Sequence, residues 1–210
     1  MQSRYFDVYR KWRENPVSFW RKAAEDLVWF KPIDRVFDGD QGVYGRWFPG
    51  AETNTCFNCL DRHVNSGRGS DRALIYDSAM NGTKASFTYE EVLGEVQAIA
   101  AVLRNHGVGK GDRVIIYMPM VPEAVFSMLA CARLGAVHSV VFGGFAAHEL
   151  AARINDCSAK VVISASCGLE PGRVVPYKPL LDQAIGMATA KPDVCLVLQR
   201  PELVAVLHED

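Results

Sequence analysis

From about residue 70 onward, short β-branched runs alternate with helix-length amphipathic segments, and this alternation limits the possible folds more than any other feature. Val114-Ile115-Ile116-Tyr117, Val137 to Phe142, Lys160 to Ser164 and Val194 to Leu198 read as strands. Helices are predicted between them, from about Glu123 to Leu134, Ala147 to Asn155 and Leu180 to Thr189. Strands alternating with helices imply βαβ units and a mainly parallel sheet with flanking helices. The strands are apolar throughout rather than alternating, as expected where both faces are covered. Ahead of them, Ala73 to Tyr76 and Ala85 to Phe87 flank the turn pair Asn81-Gly82 and read as a hairpin. Thr88-Tyr89-Glu90-Glu91 is a capping box, and Val92, Val96, Ile99 and Leu103 form one stripe of a helix that stops at Gly107.

The first seventy residues have a different character. Helical pieces are predicted at Tyr5 to Arg13 and from Pro16 toward Trp29, followed by a Gly- and Asp-rich loop from Asp38 to Gly50. All four tryptophans lie within the first fifty residues, a composition suited to wrapping over another surface rather than building a layered core. A helix is predicted from about Thr55 to Val64, with Asn65-Ser66-Gly67-Arg68-Gly69 as linker or turn. The fold class is therefore α/β, a mainly parallel sheet at 71–210, preceded by a mostly helical or irregular segment at 1–70.

Composition narrows the function classes. A formal net charge of −1 gives nothing that attracts nucleic acid or an anionic membrane. No apolar run reaches the roughly 18 residues of a membrane span. The first twenty residues mix charges with aromatics and lack the apolar core of a signal peptide, so a cytoplasmic location is expected. Cys56 and Cys59 have the spacing of a redox pair or half a zinc site, but no second pair or paired histidines completes a tetrahedral set. No metal site is predicted, and the six cysteines are expected to be reduced, Cys131 and Cys195 acting as small hydrophobes.

In open α/β sheets, ligands bind beyond the carboxyl ends of the strands. Three loops occupy that position: Met118-Pro119-Met120, Phe142-Gly143-Gly144-Phe145, and Ser164 to Arg173. Glycines let a ligand or another part of the chain approach closely, and the flanking Phe142 and Phe145 offer flat apolar surface to a pantetheine arm or an adenine. A tight turn packed by core aromatics would use the same residues. Arg173 offers a donor fork for phosphate, or an ion pair, and Lys178 adds a second charge. Gly107-Val108-Gly109-Lys110-Gly111-Asp112 imitates a phosphate loop but lies between a helix and a strand, the reverse of the order that presents a helix N-terminus. No Walker loop or nucleophile elbow occurs, and none of the five histidines has a nucleophile beside it. No catalytic residue is predicted.

Several strings nevertheless resemble one family. Arg46-Trp47-Phe48-Pro49, Asn58-Cys59-Leu60-Asp61-Arg62-His63, Gly111-Asp112-Arg113-Val114, Tyr117-Met118-Pro119-Met120 and His138-Ser139-Val140-Val141-Phe142-Gly143-Gly144-Phe145 are similar to the N-terminal part of short-chain acyl-CoA synthetases, the acetyl- and propionyl-CoA group of adenylate-forming ligases. The short N-terminus and Glu170-Pro171-Gly172-Arg173 resemble the propionyl-CoA enzymes more. The resemblance implies two half-reactions: a carboxylate attacks the α-phosphate of ATP–Mg, releasing pyrophosphate, and the CoA thiol then attacks the acyl-adenylate, releasing AMP. It implies that Phe142, Gly143, Gly144 and Arg173 neighbour CoA. Acetyl-CoA synthetases often carry a second arginine where this chain has Glu170.

The family's Pro-Lys-Gly phosphate loop, its adenylate motif and its C-terminal domain with the catalytic lysine are not found in this chain. Members of the family are roughly three times as long, against about 100–200 residues for an ordinary domain. The resemblance thus implies a fragment of 1–70 plus the first, incomplete subdomain of the AMP-binding domain at 71–210. That fragment is expected to be inactive alone, with the remainder of the synthetase as its partner. The acyl substrate, propionate, acetate or another short acid, is not legible. A non-catalytic CoA- or nucleotide-binding module is the alternative, and a thiol redox protein using Cys56 and Cys59 is a third.

Overall fold

The computed structural model describes residues 3–143 and 146–207. It divides into two compact units, Met1–Asn54 and Thr55–Asp210.

The first unit begins with helix α1 (Tyr5–Glu14) and helix α2 (Pro16–Ala24). Asn15 starts α2 by accepting from the Ser18 amide at 2.9 Å, and Pro16 fills the first position, where its missing N–H costs nothing. The stretch Asp38–Gly50 is not all loop. Strands β1 (Phe37–Asp38) and β2 (Arg46–Trp47) pair antiparallel, and Phe37 opposite Trp47 makes a ring contact at 4.8 Å. Only Ala24 and Val36 among this unit's described apolar side chains are buried. The rings meet one another instead, as in Trp20–Trp47 at 5.8 Å and Trp29–Phe48 at 5.3 Å.

The second unit is the α/β layer. Strands β3 (Arg72–Asp77) and β4 (Lys84–Thr88) form the expected hairpin, and α3 (Tyr89–Asn105) starts with the expected reciprocal cap. Thr88 Oγ1 accepts from the Glu91 amide at 3.2 Å, and the Glu91 carboxylate accepts from the Thr88 amide at 2.7 Å. Then follow β5 (Arg113–Met118), α4 (Pro122–Leu134), β6 (Val137–Phe142), α5 (Ala147–Cys157), β7 (Val161–Ala165), the hairpin β8 (Cys167–Glu170) and β9 (Arg173–Pro176), α6 (Lys178–Met187) and β10 (Val194–Leu198). Strands β10-β7-β5-β6 form one sheet, parallel at every pairing.

Alternation along β5 splits the core. Val114, Ile116 and Met118 join Val92, Val96, Leu103 and Phe126 in one cluster, while Ile115 and Tyr117 join Leu150, Ile154 and Leu181 in the other. Of the stripe predicted on α3, Val92, Val96 and Leu103 are buried; Ala100 completes it and Ile99 packs at its edge. Among the described residues no helix is long and apolar enough to cross a membrane.

Three expectations need correction. Residues 65–69 are not a linker: the chain forms π-helical turns at Phe57–Asp61 and Val64–Arg68, kinked at Gly67 with φ +83°. The π-helical turn is rare, and here a side chain ties it to the layer, with Asp61 bound to Arg133 on α4. The proline-bearing stretch after β7 is not an open loop but the hairpin β8–β9, turning at Gly172 with φ +76°. Pro176, opposite Cys167, is the last residue of β9, and the next amide, that of Tyr177, donates to the Ser166 carbonyl at 3.0 Å. Finally, among the described residues β6 is an edge strand, and Val137, Val140 and Phe142 on it are exposed rather than covered.

Candidate functional site

The carboxyl ends of the sheet open onto a cavity of about 600 Å³. Its walls are the turn after β3 (Tyr76 to Met80), the loop after β5 (Met118 to Val121), the end of β6 (Val140 to Gly143), the β8–β9 turn (Leu169 to Pro171), Tyr177 and Arg200. Two of the three loops expected at the ligand edge therefore converge on it directly, and the third contributes through its hairpin. The lining is mainly apolar, with Asp77, Glu170 and Arg200 as its charged members.

Phe142 is 70% exposed and lines this cavity, as the flat apolar surface expected there. Gly143 also lines it but is buried beneath Tyr177. A Cβ on Gly143 would fall inside the Tyr177 hydroxyl and within 2.7 Å of its ring carbons. The close approach that this glycine permits is thus made by a tyrosine of the same unit. Gly144 and Phe145 lie outside the described residues.

Arg173 is not part of the lining. It sits opposite Glu170 across the β8–β9 turn, with Nε donating to Oε2 at 2.8 Å and Nη2 to the same oxygen at 2.5 Å. Lys178 is likewise engaged, with Nζ 2.7 Å from Asp182 one helical turn along. The cation that does line the cavity is Arg200, whose side chain is only 9% exposed. Its Nη1 donates to the Cys167 carbonyl at 3.1 Å and its Nη2 lies 3.4 Å from Glu202 Oε1. Glu202 also accepts from Asn81 Nδ2 at 3.0 Å, and this bond leads the effects holding its carboxyl below the usual range. Burial pushes the Tyr117 phenol up to about 12 and raises that of Tyr177. At neutral pH both are neutral rings with a hydroxyl, neither base nor nucleophile.

Tyr117, Tyr177 and Arg200 carry no local signal of a site. Tyr117 looks like the last residue of a buried strand, Tyr177 lies among prolines, and Arg200 follows the last strand. They meet only through the tertiary fold. Gly168, like Gly143, abuts Tyr177.

Other sequence candidates resolve simply. Gly107 to Asp112 is a helix stop and turn, with Gly107 at φ +74°, Gly111 at φ +86° and Asp112 accepting from the Gly109 amide at 2.9 Å. Among the described residues no cluster of His, Cys, Asp or Glu is suited to a metal. All six cysteines are free. Cys56 is fully buried and its thiol is raised first by that burial, which removes it as a nucleophile at neutral pH, whereas Cys59 is exposed. Asp61 is the bidentate partner of Arg133 at 2.8 and 3.0 Å, and the His63 ring packs on Tyr89 at 4.7 Å.

A parallel sheet flanked by helices, with an apolar cavity at its carboxyl edge, is an α/β unit of the open-sheet class, in which that edge is where ligands are usually bound. Residues 60–206 match the family described as AMP-binding enzyme, and residues 5–59 match that described as acetyl-coenzyme A synthetase N-terminus. The first match covers more than half the chain, which therefore belongs to the AMP-binding enzyme family. It is similar to a human protein, acyl-CoA synthetase short-chain family member 3, mitochondrial, with 49% identity over 192 residues, 91% of this chain and 28% of the relative. To the acetyl-coenzyme A synthetase of Xanthobacter autotrophicus it is 44% identical over 200 residues, 93% of this chain and 30% of that protein. To the propionate–CoA ligase of Escherichia coli it is 40% identical over 196 residues, 93% and 31% respectively. The chain spans less than a third of the length of these curated relatives.

Proposed function

We propose that this chain is the N-terminal portion of an acid–thiol ligase that activates a short carboxylate with ATP and transfers the acyl group to CoA. Residues 1–70 would be the N-terminal family segment and 71–210 the first subdomain of the AMP-binding domain. One observation carries the reading: two family segments match in order along the chain, and named ligases cover more than nine-tenths of it. The acid is propionate or acetate; the Glu170-Pro171-Gly172-Arg173 turn resembles the propionyl-CoA enzymes more, so propionate is the acid used in the test. The reduced cysteines fit the cytoplasm, and a mitochondrial matrix would keep them reduced equally well.

Within that reaction the chain contributes a binding wall. Phe142 and its neighbours Met120 and Val140 offer apolar surface suited to the pantetheine arm or adenine of CoA. Phosphates are less well served, because Arg173 is bound to Glu170 and Arg200 to Cys167 and Glu202. CoA contact by Gly144 is also proposed, on the family resemblance alone. ATP and Mg do not fit the described residues, which hold neither a metal cluster nor a phosphate loop, so no step is assigned to them here. The purified 210-residue chain is expected to give no propionate-dependent exchange of pyrophosphate into ATP, and measurable exchange would overturn the reading. Calorimetric titration separates the alternative, since micromolar binding of CoA without exchange favours a non-catalytic binding module.

A further inference from the structure

The cavity draws its walls from strands that share no backbone ladder. Among the described residues β6 pairs only with β5, and β8 pairs only with β9. Hydrogen bonds of the sheet therefore do not fix the end of β6 against the hairpin. Tyr177 lies between them. Its ring meets Gly143 at the end of β6 and Gly168 in β8, and a Cβ at either position would fall inside its hydroxyl and 2.6 Å from ring carbon Cζ.

The ring also stacks on Tyr117, fully buried at the end of β5, with ring centroids 5.0 Å apart and planes 29° from parallel. The Tyr117 hydroxyl donates to the Gly143 carbonyl at 3.3 Å, so the two tyrosines hold the same glycine from two sides. The backbone of Tyr177 is fixed as well, its amide donating to the Ser166 carbonyl at 3.0 Å and its carbonyl accepting from the Leu181 amide at 2.9 Å. A buried aromatic held at its backbone, on one face and at its hydroxyl edge passes a push from one neighbour to the other along the contacts it keeps.

We infer that Tyr177 is a positioning residue, whose ring, wedged between Gly143 and Gly168, sets the end of β6 against the β8–β9 hairpin and so holds the cavity's two walls in register. That the cavity's ligand is CoA rests on the function proposed above; the wedge itself does not.

The test uses amide hydrogen exchange on the 210-residue chain. Gly168→Ala places a methyl against the ring from the hairpin side. Exchange is expected to rise about tenfold in peptides covering both 167–176 and 137–143, while peptides from α3 and β10 stay unchanged. Adding Gly168→Ala to Tyr177→Leu, which lacks the ring through which the new methyl would act, is expected to leave 137–143 no faster than in Tyr177→Leu alone. Acceleration confined to 167–176, or uniform acceleration across the chain, would overturn the inference. Tyr177→Phe, which keeps the stack on Tyr117, is the milder variant should Gly168→Ala not fold; it is expected to speed both segments by a few-fold, and loss of coupling between them would count against the wedge. In parallel, CoA affinity is measured for wild type and Tyr177→Phe. No CoA binding by wild type sinks the ligand assignment while leaving the exchange result to decide the wedge. Binding that is unaltered in Tyr177→Phe, alongside accelerated exchange in both segments, removes Tyr177 from the ligand site.

Discussion

Replacing Arg133 with Met is the sharpest test of how residues 55–68 are held to the α/β layer. Phe57–Asp61 is a π-helical turn, and its Asp61 reaches α4 through Arg133 Nη1 at 2.8 and 3.0 Å. The two side chains are 29% and 13% exposed, between a surface pair and a buried one. Surface pairs contribute about 0.2–1 kcal/mol, and breaking a buried pair costs about 3–5 kcal/mol because a charge is left uncompensated. Met keeps the apolar stem of Arg, so the loss should be almost wholly electrostatic, about 2 kcal/mol. For a unit of this size that is about 4–8 °C in Tm. All four tryptophans precede residue 51, so tryptophan emission follows the first unit and far-UV circular dichroism is the proper probe of the second. Asp61→Asn should cost a similar amount, and the double variant should be less destabilised than the sum, with a coupling of about 1–2 kcal/mol. Additive single variants, with coupling below about 0.5 kcal/mol, would show that the bridge does not anchor the turn.

Two further outcomes follow from buried or engaged groups. Burial pushes the Cys131 thiol to about 12 and that of Cys195 to about 11, whereas Cys59 is exposed; iodoacetamide at pH 8 should label Cys59 first and Cys131 only after denaturation, and peptide mass spectrometry showing Cys131 labelled as fast as Cys59 would refute the packing described for α4. The Asp112 carboxyl is held below its ordinary value first by the Gly109 amide and then by Lys160. Its contribution to stability is therefore complete above the unfolded value of about 3.9 and is lost as pH falls through the lower folded value. Asp112→Asn should accordingly be less stable than wild type at pH 6 and should converge with it in acid, as read by urea midpoints at both pH values. A difference that persists unchanged below pH 3 would show a role other than charge.

The layered part of the fold was legible because its signals are local and strong. Val137–Phe142 and Val194–Leu198 are bounded where the sequence predicts, and Thr88 with Glu91 starts α3 as a capping box must. The errors fall where distant partners override local chemistry. Asn65 to Gly69 has the composition of a turn, yet it is helical with a kink at Gly67, held beside α3 by packing of residues far along the chain. The β8–β9 hairpin hides behind prolines because its pairing is antiparallel and short, and Pro176 stands at the last pair of the ladder, opposite Cys167.

The candidate site shows the same division. That a cavity lies at the carboxyl edge follows from topology, which the strand–helix alternation predicts. What surrounds each candidate residue does not. Gly143 could serve a ligand or a packed aromatic, and only the fold reveals that Tyr177, 34 positions further along, occupies the space it leaves. Arg173 had a similar ambiguity, and the hairpin register resolves it by setting Glu170 directly opposite. An arginine bound to one carboxylate oxygen by two nitrogens must surrender charge-assisted bonds before meeting a phosphate. If CoA is the ligand, its affinity should therefore rise when that competitor is removed: Glu170→Gln would leave Arg173 in place with a weaker partner. Titration of both chains with CoA decides the point, and an affinity unchanged or lowered in Glu170→Gln would mean that Arg173 takes no part in binding it.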